Sequence, residues 1–277
     1  MINVTPVVGK ITWDVSLNVA QNVNKVVELS PGVTRLFEDE PRTRTVGIYQ
    51  VVGLPFGEIL GYKQKVDPAS GKKVFDETGS PVRSDVYEDL GNGIAKFTGG
   101  LTNTISWNHF KLDALIDFKA GGKIYSGSEV NLAADGLSKR TLVNREGGMV
   151  VDGVIQNGTD ADGKPVYIPF TKTLNEQETQ DYWGNLAYRA SENFVYDASF
   201  IKLRQISLEY DLPAKLLEKT PLKNIAVSFV GRNLAILYRK TDNIDPESSY
   251  TSGTGQGIDQ FTMPGTRSYG FNLRVTF

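Results

Sequence analysis

The chain has 277 residues and a formal net charge of −2, so no global basic field favours nucleic acid as a partner. It contains no cysteine, which excludes disulfides, thiolate metal sites and a cysteine nucleophile. No apolar run reaches about eighteen residues, so no transmembrane helix is predicted.

The first residues, Met1 to Pro6, lack a basic region followed by an apolar core and therefore do not resemble a signal peptide. An envelope protein that starts here would be a fragment, which is our expectation. Residues 10–20 alternate apolar and polar side chains, and this alternation predicts a strand with two different faces. Asp14 and Asn18 belong to its polar face, which we expect to line a lumen.

Residues 28–44 contain Pro31, Gly32 and a charged run, and we predict a solvated loop there. Residues 45–52 and 59–66 predict two strands around a turn at Gly53 to Gly57. The turn-rich stretch 67–93 is expected to connect elements.

A hairpin is predicted where residues 101–107 and 110–118 alternate on either side of Asn108 and His109. Asn103 interrupts its apolar face and Leu115 its polar face. His109 is the only histidine, and its place in a tight turn favours an interfacial turn residue over a metal or catalytic site.

Residues 120–197 show no convincing alternation and are rich in Gly, Asp, Asn and Ser, which predicts a long loop. Membrane barrels carry such loops on their outer side and short turns on the inner side. Tyr182 and Trp183 form an exposed-looking aromatic pair, of the kind on which sugar rings and peptide side chains stack.

Residues 198–212 predict a strand whose first half has the opposite parity to its second half. Lys202 and Arg204 share the parity of the apolar Ile206, so either a bulge shifts the register or the strand starts outside the membrane band. One helical turn at 214–219 and a strand around Ile225 to Phe229 are expected next.

The final stretch, residues 267–277, has one wholly apolar and one wholly polar face. Its length suits a tilted strand that crosses a bilayer. A strand of a soluble sandwich has the same alternation and remains open at this point. The apolar members are Tyr269, Phe271, Leu273, Val275 and Phe277, and the polar members are Ser268, Gly270, Asn272, Arg274 and Thr276.

Several segments go beyond alternation. The segment from Ala198 to Pro213, read ASFIKLRQISLEYDLP, closely resembles the signature near the C-terminus of SusC/RagA-type TonB-linked outer-membrane transporters. Further segments match the family's motifs in the same order along nearly the whole chain. They are Val52 to Gly57, Phe97 to Gly100, Gly121 to Tyr125, Gly231 to Leu234, Asp245 to Glu247 and Pro264 to Phe277.

This resemblance implies an all-β fold: about eight antiparallel transmembrane strands, with long outer loops and short periplasmic turns, from a plugged barrel of about twenty-two strands. Residues 1–277 would be the C-terminal portion of the receptor, without its plug and N-terminal domains. The implied partners are a SusD-like surface lipoprotein, the TonB complex through the missing N-terminal part, and outer-membrane lipid. The implied cargo is an oligosaccharide or peptide, and the implied location is the cell outer membrane.

The family transports solutes, so we expect neither an enzyme nor a cofactor, and no catalytic or metal-binding residue is assigned. The candidates for a substrate path are Asp14, Asn18, Arg232, Asn272, Arg274, Tyr182 and Trp183. Phe277 is the candidate barrel-assembly signal. A secreted β-sandwich or a surface glycan-binding protein is the alternative function.

Overall fold

The computed structural model describes residues 1–250 and 255–277. Its strands in chain order are β1 (Ile2–Val7), β2 (Ile11–Gln21), β3 (Arg35–Asp39), β4 (Val46–Val51), β5 (Glu58–Gly61), β6 (Val74–Phe75), β7 (Glu88–Asn92), β8 (Phe97–Trp107), β9 (Phe110–Ala120), β10 (Lys123–Ser126), β11 (Met149–Thr159), β12 (Pro165–Leu174), β13 (Val195–Asp197), β14 (Phe200–Asp211), β15 (Asn224–Arg239), β16 (Ile258–Asp259) and β17 (Ser268–Thr276). The α-helices are α1 (Gly127–Ala134), α2 (Glu176–Arg189) and α3 (Ala214–Leu217), and short 3₁₀ helices cover Lys139–Leu142 and Ser191–Phe194.

One large sheet dominates the fold, and all of its neighbouring strands are antiparallel. It has seven strands, in the order β1-β2-β8-β9-β14-β15-β17, one fewer than the expected eight. The connections after β1, β8 and β14 are short and lie at one end, whereas those after β2, β9 and β15 are long and lie at the other. The expected all-β, antiparallel barrel segment with long outer loops and short periplasmic turns is confirmed.

The large sheet leaves its apolar face uncovered. Leu208, in the middle of the sheet, is 45% exposed, and Phe229 on the next strand is 42% exposed. A sandwich strand would bury these side chains against a second sheet, and none of the other sheets in the described ranges packs over them. Asn103, which interrupts this face, accepts a hydrogen bond from the indole nitrogen of Trp13 at 3.2 Å.

A bulge in β14 explains the reversed parity of its first half. Leu203 pairs with Ile116 and Gln205 with Leu115, so Arg204 is an extra residue in the ladder. The bulge places Ile201 and Ile206 on the same apolar face, although their sequence parity differs. It also turns Phe200 away from the apolar face into a position where the residue is 1% exposed, although Phe200 shares the sequence parity of Ile206.

The long connections fold together into a body of their own, here called the outer loop region. It comprises the described residues of the ranges 22–96, 121–199 and 240–267, and contains three small sheets, in the orders β3-β4-β5-β7, β12-β11-β6 and β13-β10-β16. Two pairs in it are parallel, β10 with β16 and β11 with β6. The expectation of a structureless loop at 28–44 is therefore wrong at β3, and at 120–197 it is wrong almost throughout.

The outer loop region has its own hydrophobic core, built from side chains that are far apart in sequence. Tyr125 is fully buried and hydrogen-bonds through its hydroxyl to Thr43 and Thr45 at 2.9 and 2.8 Å. Burial raises the pKa of Tyr125 to about 12. The buried members of the core are Val46, Ile48, Ile59, Tyr125, Val130, Ala133, Ala187, Phe194 and Ile258.

Helix α2 begins at a capping box, in which the Asn175 side chain accepts from the Glu178 amide and the Glu178 carboxylate accepts from the Asn175 amide. The single helical turn expected at 214–219 is present as α3. No helix within residues 1–250 and 255–277 combines the length and apolarity needed to span a membrane.

Candidate functional site

Neighbouring strands of the large sheet align their side chains in rows that differ sharply between the two faces. One row contains only apolar side chains, and the row beside it, on the opposite face, contains only polar ones. The apolar row is Trp13, Ile105, Leu112, Leu208, Phe229 and Phe271. The polar row is Thr12, Ser106, Lys111, Glu209, Ser228 and Asn272. The alternation read from single strands therefore extends across six strands.

Five of the predicted path residues lie on the polar face. Asp14 accepts a hydrogen bond from the Thr5 hydroxyl at 2.6 Å. Asn18 lies on β2, opposite Gly100, and Asn272 lies on the edge strand β17, opposite Ser228. They occupy separate positions along the face and do not form one cluster.

The two predicted arginines of this face each contact side chains of β14. The Arg232 guanidinium donates to the side chain of Gln205 at 3.2 Å. Arg274 donates to Glu209 at 2.9 Å and lies 3.7 Å from Asp211. Because these groups are polar and oriented across strands, the face offers a continuous series of donors and acceptors.

Tyr182 and Trp183 lie elsewhere, on helix α2 of the outer loop region. Both are half-buried, so the expectation of an exposed loop pair is wrong. Tyr182 packs against Phe75, Val151 and Leu174, and burial raises its pKa. The indole nitrogen of Trp183 is buried with no hydrogen-bond partner in the described residues, beside a cleft of about 350 Å³.

An ionic cluster lies where the polar face meets the outer loop region. The Lys202 ammonium is 2.7 Å from both Asp245 and Glu247, and the Lys202 residue is only 6% exposed. Arg204, the bulge residue, contacts Asp117 at 2.6 Å and Glu247 at 2.8 Å. The bulge therefore places both cations, which share the sequence parity of the apolar Ile206, on the polar face beside one set of carboxylates.

No role was predicted for these residues from the sequence. The one sign of the cluster in the sequence is the pair of cations, Lys202 and Arg204, at positions where the alternation of the strand predicts apolar side chains. Burial raises the pKa values of Asp245 and Glu247, but the hydrogen bonds from Lys202, joined at Glu247 by those from Arg204, outweigh it and hold both below their usual range. Both carboxylates are therefore charged at neutral pH.

Above the ionic cluster, a cleft of about 470 Å³ lies between the large sheet and the outer loop region. Lys119, Lys123 and Glu247 border it together with backbone of Gly93 and Gly257. Among the described side chains, no group of three or more His, Cys, Asp or Glu is placed to hold a metal ion. The arrangement can bind and pass polar solutes through hydrogen bonds and charges.

An antiparallel sheet with one lipid-type face, one polar face and folded loops at one end defines a portion of a membrane-spanning barrel. No family model matches the chain. Two receptors of Formosa agariphila, strain DSM 15362, are similar to it: TonB-dependent receptor P3 and TonB-dependent receptor P26. Each is 24% identical over 96% of this chain, and the chain spans 27% of the length of each.

Solved structures give the same result for the fold. The RagAB peptide importer in its closed-closed state matches 99% of this chain with a TM-score of 0.62 and 19% identity. Its open-open state matches with a TM-score of 0.62 and 17% identity. The chain covers 28% and 27% of those chains respectively. The resemblance to the barrel of SusC/RagA-type TonB-linked receptors is thereby confirmed.

Proposed function

We propose that residues 1–277 form the C-terminal part of the barrel of a TonB-dependent importer in the cell outer membrane. The observation that carries the proposal is the alignment of apolar and polar rows on opposite faces of the large sheet. An uncovered row of Trp, Ile, Leu and Phe suits contact with lipid chains, and the polar rows suit a solute path. The similarity to TonB-dependent receptors supports the same assignment.

The proposed cargo is an oligosaccharide or a peptide. The structural relatives belong to a peptide importer, which supports the peptide class. Asp14, Asn18, Arg232, Asn272 and Arg274 would contact the solute, since all five present polar atoms on the face opposite the lipid. None of them is proposed to catalyse a reaction, because moving a solute requires binding and release only.

The proposed partners are a SusD-like surface lipoprotein on the outer side and the TonB complex on the inner side. The lipoprotein would meet the outer loop region, which lies at the end of the sheet that carries the long connections. The TonB complex would act through a part of the receptor outside these residues.

The test is uptake by the full-length receptor that carries this sequence, expressed with its lipoprotein in an outer membrane that lacks both. Labelled oligosaccharides and peptides should enter only while the inner membrane is energised, and dissipation of the proton gradient should stop entry. An Arg232→Gln, Arg274→Gln receptor should assemble normally and import more slowly. Uptake that is absent in a correctly assembled receptor, for every oligosaccharide and peptide tried, would refute the proposal.

A further inference from the structure

The outer face of the sheet β3-β4-β5-β7 carries a continuous aromatic ladder that the transport path does not use. The opposite face of this sheet is buried, because Val46, Ile48 and Ile59 belong to the core of the outer loop region. The ladder contains Phe37, Tyr49, Tyr87 and Tyr62, one residue from β3, one from β4 and two from the segments flanking β5 and β7. Consecutive ring centroids are 5.6, 6.4 and 4.6 Å apart.

Two arginines lie against tyrosine rings of this aromatic ladder. The Arg35 guanidinium carbon is 5.7 Å from the Tyr49 ring centre, and that of Arg83 is 4.3 Å from the Tyr62 ring centre. Both arginines are exposed. A guanidinium that lies over a ring has its N–H groups pointing outward in its own plane, where they remain available to a ligand.

These two arginines differ from the other basic residues near the ladder in having no ion pair within the described chain. Neither Arg35 nor Arg83 has a carboxylate partner within the residues that the structure describes. The other bases nearby are paired: Arg44 with Glu40 at 3.6 Å, Lys63 with Glu88 at 3.6 Å, and Lys65 with Asp85 at 2.9 Å. Asp89 accepts the amide of Gly91 at 2.7 Å.

The ladder therefore combines one exposed and three half-buried rings with two arginines that have no carboxylate partner among the described residues. Phe37 is 50% exposed, which is high for a phenylalanine in a strand whose sheet packs on a core. Carbohydrate rings stack their C–H faces on such aromatic surfaces, while carboxylate and sulfate groups accept paired hydrogen bonds from guanidinium. The Tyr87 ring lies between the two tyrosines that carry the arginines, so a chain with several acidic groups suits both arginines better than one small anion.

We propose that this ladder binds an extended oligosaccharide chain that carries carboxylate or sulfate groups. The acidic groups would meet Arg35 and Arg83, and neighbouring sugar rings of the chain would lie along Phe37, Tyr49 and Tyr87. The inference rests on the proposed function in placing the outer loop region outside the cell, and it narrows the oligosaccharide class. It adds a binding surface on the outer loops, separate from the polar face of the barrel.

The test is calorimetric binding to the detergent-purified full-length receptor, with alginate oligosaccharides as the carboxylated probe and carrageenan oligosaccharides as the sulfated probe. Neutral laminarin oligosaccharides and an oligo-glutamate peptide serve as comparisons. We expect at least one acidic oligosaccharide to bind, and added salt to weaken binding. The Arg35→Gln, Arg83→Gln protein should bind it about tenfold more weakly.

Arg44→Gln is the matched control, since Arg44 borders the same sheet but is paired with Glu40. It should leave affinity within about twofold of the wild-type value. Near-ultraviolet circular dichroism checks that each variant keeps its tyrosine environment. Three results would overturn the inference: no binding of either acidic oligosaccharide, equal binding of laminarin, or equal binding of oligo-glutamate. An unchanged affinity in the double variant would overturn it as well.

The transport proposal and the ladder proposal can be refuted independently of each other. A receptor that binds acidic oligosaccharides through the ladder but shows no energised uptake would contradict the transport proposal alone. A receptor that imports a solute but gives one of the four overturning binding results would contradict the ladder proposal alone.

Discussion

The ammonium of Lys202 lies 2.7 Å from the carboxylate of Glu247, at the boundary between the barrel wall and the loop that follows β15. Lys202 is 6% exposed, so the pair is largely removed from water. A buried charge that loses its partner is costly, because its desolvation is no longer compensated. This contact therefore holds residues 241–250 against the wall.

Lys202→Met should release that loop. The substitution keeps most of the side-chain volume but leaves Asp245 without its hydrogen-bonded cation and Glu247 with Arg204 and the more distant Lys119. We expect faster hydrogen exchange in residues 241–250, with β14 and β15 unchanged. Lys119→Met is the control, because Lys119 is half-exposed and 3.9 Å from Glu247. Equal exchange in both variants would show that the buried contact does not hold the loop.

The same loop gives a pH prediction. Asp245 and Glu247 have lowered pKa values in the folded protein, despite burial, because of their hydrogen bonds with the cations of β14. A carboxyl group whose pKa is lower in the folded protein than in the unfolded chain stabilises the fold. This stabilisation is complete at pH values above the pKa of the unfolded chain, near 4, and is lost as the pH falls through the pKa of the folded protein. The protection factor of residues 241–250, which is the observed exchange rate corrected for the intrinsic rate at each pH, should therefore be constant from about pH 8 to 5 and fall below about pH 4. A loss of protection that begins near neutrality would contradict this account.

The strands with long alternation could be predicted from the sequence, and the outer loop region could not. The alternation in residues 10–20 and 267–277 predicts β2 and β17. The pattern is clear because one whole face of each strand is apolar and no second sheet of the described chain packs against it. Strands β6 and β16 have two residues each and are fixed by contacts with distant segments. No local periodicity exists at that length, so tertiary packing decides.

The candidate site divides in the same way. Asp14, Asn18, Arg232, Asn272 and Arg274 were assigned by parity alone, and parity places them correctly on the polar face. Their role in transport remains a prediction. The ionic cluster around Lys202 required knowledge of the bulge at Arg204 and of the loop that returns to it. The aromatic ladder could not be predicted without the pairing of β3 with β4. Strand β3 itself was not predicted, because the charged run within residues 28–44 indicated a loop.

Leu208→Arg should destabilise the barrel, since Leu208 lies in the central apolar row. A charge at the middle of a lipid-facing row costs about 2–4 kcal/mol. Ser207→Arg, one residue earlier, places the same charge on the polar face and should have little effect. Urea unfolding of the full-length receptor in lipid vesicles measures the difference. Equal losses of stability would argue against lipid contact at this face.

Deletion of Phe277 should impair assembly of the full-length receptor into the outer membrane. The side chain is 74% exposed at the end of β17, where nothing in the described chain covers it. We expect a larger unassembled fraction by heat-modified gel mobility. Val275→Ala, on the same face two residues earlier, is a comparison that keeps the terminal aromatic. Normal assembly without Phe277 would remove its proposed role as the assembly signal.

Gly153→Ala should separate β11 from β6. A Cβ at residue 153 would lie 2.3 Å from the carbonyl oxygen of Lys73, which is backbone and cannot turn aside. Exchange should rise in residues 73–75 and in the first half of β11. Gly184→Ala is the control, because its Cβ would meet no atom within 4 Å in the described structure, and alanine favours helix. Unchanged exchange at 73–75 would show that the pairing tolerates the methyl group.

The shared core of the outer loop region constrains how these loops diversify in nature. Ile48, Val130, Phe194 and Ile258 come from four stretches of the chain yet fill one volume. A length change or core substitution in one stretch alters the support of the others, so new ligand specificities must arise through compensated, simultaneous changes. The tip of the β11–β12 hairpin is fully exposed. Sequence variation among related proteins should therefore accumulate at that tip and spare the shared core.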